Sequence, residues 1–163
     1  MTDFPPKLSP LTADQFAALD PARRAISHDH ARRHGVLDLG GKAGRYALSW
    51  RSDLIEPVLR IEPANERLWM AVDQQVACID RRTGEIRLCL ALSSNAIDIG
   101  FAAASIAVLT ETVVLLFNQT MTIRALVTLP DLPESMAGSN LALTIRMQGG
   151  VSRILDLDSG QLR

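Results

Sequence analysis

Three histidines, His28, His30 and His34, crowd into one short stretch, and the last two stand four residues apart. On a helix that spacing can bring two imidazoles to one metal ion. Ala31 stands where a zinc-peptidase helix carries its glutamate, and the chain holds only these three histidines. The expectation is a solvated helix face and no metal. Gly40-Gly41-x-x-Gly44 has the glycine density of a phosphate-cradling loop. Such a loop must open a helix with Gly-Lys-Ser/Thr, whereas Arg45–Trp50 reads as a strand, so a hairpin turn is expected. The carboxylate pairs Asp53/Glu56 and Asp156/Asp158 sit near turn signals. Glycoside hydrolysis by two carboxylates depends on a separation that sequence alone does not define. No Gly-x-Ser-x-Gly is present. Cys78 and Cys89 lie in apolar runs whose spacing fits neither a metal motif nor a disulfide framework. Both are expected as reduced core residues. No catalytic set and no cofactor site emerges.

The remaining chemistry is charge. Arg23, Arg24, Arg32 and Arg33, with Lys42 and Arg45 close by, make the N-terminal third locally basic in a chain of net charge −1. A near-neutral chain lacks the positive field of a general nucleic-acid binder. Aromatic residues, at 4%, are too few to interleave as a base-stacking platform. The four arginines are therefore read as a solvated face or as contacts to another protein with acidic groups, and not to nucleic acid. Trp50 and Trp69, in strand-like runs, are expected as core anchors.

The elements that must position these groups fall into two regions. Residues 1–35 begin with a proline-rich extended lead (Pro5, Pro6, Pro10). Thr12 and Gln15 form a capping-box pattern for a short helix. Asp20-Pro21 signals a second start. That helix is expected to run from Ala22 to His34, with Gly35 as its terminating residue and only Ala22, Ala25 and Ile26 as an apolar stripe. From Val36 onward the period changes to two. Strands are expected at 36–39, 45–50, 56–61, 67–72, 75–80, 85–92, 96–100, 105–110, 112–117, 122–128, 140–146 and 151–157, as one β-repeat domain over 36–163. The most apolar run, Ile97–Phe117, is broken by Asp98, Thr110, Glu111 and Thr112, so it is no membrane span. With no leader pattern at the start, a cytoplasmic location is the expectation.

The strands repeat. Asp80-x-x-Thr83-Gly84-Glu85 matches Asp156-x-x-Ser159-Gly160-Gln161, 76 residues further on, and Asn118 stands midway in the same hydrophobic phase. In each unit the Asp or Asn can accept turn amides while a glycine supplies a positive φ; the middle unit lacks the glycine. The stretch DQQVACIDRRTGEIRL resembles the blades of pyrroloquinoline-quinone-type and WD-type β-propellers, over roughly residues 56–163. The resemblance implies architecture only. The Trp-Asp dipeptide is absent, and Leu88 and Cys89 stand where quinone enzymes carry a tryptophan after the turn.

The fold class expected is thus mainly β, with about three propeller-like antiparallel blades in an incomplete ring behind a short helical N-terminal segment. A β-sandwich is the alternative. About three blades would leave open faces. Three arrangements solve this: the 36–50 hairpin completes a partial blade, two chains form one ring as a homodimer, or the strands form a sandwich. The functional expectation is a non-catalytic protein-binding module. Narrower forms are an immunity protein neutralising a bacterial toxin and a self-assembling propeller scaffold. A hydrolase using loop carboxylates is the enzymatic alternative.

Overall fold

The computed structural model describes residues 6–63 and 66–163. By its internal contacts the chain divides into two compact units, one reaching to Ala91 and the other from Leu92 to Arg163.

The first unit holds two sheets. In one, β1 (Leu8–Leu11), β3 (Arg33–Asp38), β4 (Arg45–Trp50) and β2 (Arg24–Ile26) lie in the order β1-β3-β4-β2, with β2 parallel to β4 and the other pairs antiparallel. The 36–50 hairpin is the middle of this sheet, so it completes a blade beyond the three marked by the repeat. The second sheet is an antiparallel meander of β5 (Val58–Ile61), β6 (Arg67–Val72), β7 (Gln75–Asp80) and β8 (Ile86–Ala91). The second unit holds another meander, β9 (Ala96–Ala102), β10 (Ser105–Thr110), β11 (Val113–Phe117) and β12 (Ile123–Thr128). Its last sheet is β13 (Pro133–Gly138), β14 (Ala142–Met147) and β15 (Ser152–Asp156). Four small sheets, rather than the two of a sandwich, give a mainly β, propeller-like fold.

Burial explains where sequence patterns gave strands. β6, β7, β10 and β11 are covered on both faces, and a strand covered twice needs an unbroken apolar run. β8 and β12 alternate and lie at sheet edges. The first unit's core joins Ala25, Ile26, Leu37, Leu48 and Trp50 to Leu68, Met70 and Ile79. The second unit's core joins Leu109, Val114 and Leu116 to Leu143, Ile145 and Leu155. There Gly138 is needed for close approach, because a Cβ on it would lie 2.2 Å from the Phe101 carbonyl oxygen.

The helix expected over Ala22–His34 does not form. The capping box holds, with Thr12 and Gln15 bonding each other's backbone N–H, and starts α1 (Ala13–Ala17). Asp20 caps only a 3-10 turn, Pro21–Arg23. The chain then enters β2, where Ala25 and Ile26 are fully buried. A helix with so thin an apolar stripe would bury little; as a strand the same two residues enter the core and the backbone pairs with β4. Gly35 is accordingly not a helix terminator but a mid-strand residue of β3, where a Cβ would meet the Leu8 side chain at 2.7 Å. With no helix, the four-residue spacing of His30 and His34 loses its meaning: His30 sits in a turn at φ 56° and His34 on β3. Cys89 also departs from expectation, being exposed on the alternating edge strand β8, while Cys78 is buried on β7.

The repeat is a repeated turn. Asp80 accepts from the backbone N–H of Arg82 and Thr83, and Asp156 from those of Asp158 and Ser159. Asn118 accepts likewise from Thr120 and Thr122. Gly84, at φ 76°, lets its turn pass against Ala43 and the Tyr46 hydroxyl, which donates to the Gly84 carbonyl.

Candidate functional site

β1 is an edge strand of four residues, and the ladder from β3 to β4 ends where Arg33 faces Trp50. Beside that end lies a cleft of about 370 Å³. Its apolar wall is Leu8, Pro10 and Leu11 from β1. Its polar wall is Arg32, Arg33 and His34 at the start of β3, with Glu56 from the loop after β4; Trp50 lies between. The volume falls within the roughly 300–1,000 Å³ of ligand pockets.

Trp50 is 2% exposed, and its indole Nε1 has no hydrogen-bond partner among the described residues. Burying such a donor unpaired costs on the order of 1–3 kcal/mol. Two other buried nitrogens share that state, Arg24 Nε and Arg81 Nε, but both belong to guanidinium groups with further donors. The Arg33 guanidinium lies over the Trp50 ring, 4.9 Å from its centroid, and pairs with Glu56 at 2.5 Å. His34 packs against Phe16, ring centroids 5.1 Å apart.

The loop 51–57 is held at several points. Arg32 pairs with Asp53 at 3.0 Å. Arg51 donates from its backbone N–H to Asp73 and from Nε to the Asp29 carbonyl. The Ser52 hydroxyl accepts the N–H groups of Leu54 and Ile55, a local side-chain turn. The result projects Leu54 into solvent at 95% exposure, with Ile55 at 42% beside it.

The four arginines singled out by sequence divide into two pairs. Arg23 donates to the Ala43 carbonyl and the Tyr46 hydroxyl and lies over the Tyr46 ring. Arg24 donates to the carbonyls of Ala17 and Leu19 and lies over Phe16. Both thus close the N-terminal segment onto the sheet. Arg32 and Arg33 instead line the cleft. Asp53 and Glu56 are brought near the same place, each against an arginine, whereas Asp156 caps its turn. Among the described residues no three His, Cys, Asp or Glu side chains gather as metal ligands. No helix among them is long and apolar enough to cross a membrane. A second cleft of about 390 Å³, in the other unit, is lined by Thr128, Leu129, Pro130, Arg153 and Leu162. It has a single charged group and offers no constellation.

Sequence reasoning passed over Leu8, Pro10 and Leu11, which stood in a segment read as extended lead, and over Leu54-Ile55. The available signal for the latter was an apolar pair between Asp53 and Glu56. Two adjacent apolar residues in a charged connection serve no strand phase.

No family model matches the chain, and no curated protein matches it. Solved structures do. The structure of Saccharomyces cerevisiae Sqt1 is similar at TM-score 0.59 and 16% identity, over 71% of this chain and 34% of that one. Kuenenia stuttgartiensis hydrazine synthase is similar at 0.59 and 15%, over 69% and 36%. The S. cerevisiae structure of Dbp5 bound to Nup159 and Gle1 matches at 0.53 and 13%, over 64% and 32%. The chain spans about a third of the length of each. At these identities the likeness is one of fold, and it agrees with the repeated small sheets in a propeller-like architecture.

Proposed function

We propose that the chain is a non-catalytic protein-binding module of β-repeat type, and that its contact surface is the cleft beside β1 together with the Leu54–Ile55 turn. The observation that carries this reading is the presentation of an almost fully exposed leucine on a loop held by the hydrogen bonds of Arg51 to Asp73 and Asp29 and by the Ser52 turn. An apolar side chain held out in this way costs solvation in the free chain and gains on being covered by a partner. Holding the loop in place beforehand reduces the ordering cost of association. Arg32 and Arg33 flank the turn and are proposed as polar contacts at its rim. Among the similar structures, one has Dbp5 bound to Nup159 and Gle1, in keeping with a fold that works in protein assemblies. The hydrolase alternative is less well supported, because Asp53 and Glu56 each face an arginine and only Glu56 lines the cleft.

The test is quantitative capture from the source cell with the intact chain and with the Leu54→Asp/Ile55→Asp double variant, followed by affinity measurement with the recovered protein. The double variant should bind at least about tenfold more weakly. Its stability should change by no more than about 0.5 kcal/mol per exposed site. Equal binding by both chains would refute the surface. Recovery of a toxin would turn the reading toward an immunity protein, and recovery of the chain itself toward a self-assembling scaffold.

A further inference from the structure

We infer that the cleft beside β1 receives a carboxylate side chain of a partner peptide, with an apolar neighbour of that carboxylate seated on Leu8, Pro10 and Leu11. This rests on the protein-binding reading and names the chemistry the site selects. Two independent features converge on it. The first is a pair of guanidinium groups: Arg32 and Arg33 line the cleft, each held by one exposed carboxylate, Asp53 and Glu56. The second is Trp50, in the wall of the same cleft, whose buried indole N–H has no acceptor among the described residues. A carboxylate is acceptor-only and can take several hydrogen bonds at once, so one group can serve both the guanidinium and the indole.

Glu56 already occupies part of this chemistry. It pairs with Arg33 from a loop position where its side chain is 64% exposed. An exposed pair of this kind is weakly held, so an incoming carboxylate can share or displace it. The Arg33 guanidinium lies over the Trp50 ring, and a guanidinium so placed keeps N–H donors beyond the one that Glu56 engages. The apolar wall explains why a peptide side chain with an apolar neighbour is preferred over a free anion: Leu8, Pro10 and Leu11 gain only from carbon.

The experiment follows the indole N–H resonances of the full chain by two-dimensional NMR. The titrant is the peptide acetyl-Leu-Glu-Leu-Glu-amide, with its glutamine counterpart and sodium acetate as controls. Trp50 and Trp69 report separately; Trp69 bonds Glu62 in the core and serves as the internal standard. The Trp50 signal should move saturably with the glutamate peptide while Trp69 stays still. The glutamine peptide and the Arg33→Gln variant should each bind about tenfold more weakly or worse. Glu56→Gln, which removes the competing charge at an exposed position, should bind a few-fold more tightly. A Trp50 signal that stays still at millimolar peptide overturns the proposal. So does equal binding of the glutamine peptide, a Glu56→Gln affinity no higher than the parent's, or acetate binding as well as the peptide. Should Arg33→Gln disturb Trp69 and so lose its fold, the Glu56→Gln comparison decides alone. Failure here alongside a retained defect of the Leu54/Ile55 variant would remove the carboxylate assignment and leave the binding module standing.

Discussion

Cys78 and Cys89 show how far one residue's chemistry depends on which strand carries it. Burial on β7 pushes the Cys78 thiol up to about 12. Cys89, exposed on β8, is raised by partial desolvation, and its Sγ lies 3.6 Å from the Ala25 carbonyl oxygen. Thiolate is the reactive form, so both are slow nucleophiles, Cys78 far more so. Alkylation of the native chain at pH 8, read by intact mass, should therefore add one label, at Cys89, and a second only in denaturant. Prompt double labelling of the native chain would contradict the burial of β7. From sequence the two cysteines looked alike, each within an apolar run. Cys89 differs because Arg87 alternates with its neighbours on β8, and that alternation marked an edge strand.

The same holds for elements. The turn beginning at Asp80 or Asp156 was legible because it needs a particular acceptor and a particular glycine at fixed offsets. Backbone N–H groups of Thr83 and Ser159, donating to these carboxylates, hold both below the usual aspartate range. A carboxylate whose folded-state value is depressed stabilises the fold at pH above its unfolded value. That contribution is lost as pH falls through the folded value. With ordinary aspartate near 3.9, the window lies below about pH 4. An Asp80→Asn/Asp156→Asn variant keeps an acceptor at each turn and loses the titration. Its denaturant midpoint should fall less steeply than the parent's as pH drops below 4. Parallel curves would mean that the turns contribute nothing to acid unfolding. The elements that sequence missed are β1, β2 and β13. β1 and β13 contain Pro10 and Pro133, and β13 reads PESMAG, with no strand alternation. They exist because neighbouring strands offer ladders, a condition no local pattern encodes.

At the scale of the molecule, the decisive contrast is between strands covered on one face and on two. β14 reads Leu143-Thr144-Ile145-Arg146-Met147, and its burial alternates in step, leaving Thr144 and Arg146 exposed. β10 is covered on both faces, with Val108 fully buried. The outward face of the last sheet is therefore mixed: Thr144 and Arg146 share it with Ile154, which pairs with Thr144 and is itself exposed. Thr144→Lys should shift stability by no more than about 0.5 kcal/mol in denaturant unfolding, whereas Val108→Lys should cost at least about 4 kcal/mol or prevent folding. Equal costs would show that the face of β14 is covered after all.

Period and composition alone determined most of the strands, the β-repeat character, the capped turns and the short capped helix. Each is a local matter: a strand's alternation, a cap's acceptor, a glycine's φ lie within a few consecutive residues. Tertiary structure alone decided that Ala22–His34 is a turn and two strands, that Arg23 and Arg24 close a segment while Arg32 and Arg33 line a cleft, and that Leu54 stands in solvent while the Trp50 indole is buried with no partner among the described residues. Those outcomes depend on partners far along the chain, such as Asp53, Glu56 and Tyr46 for the arginines. They are settled by which distant surfaces can be buried together, and no window of neighbouring residues contains that information.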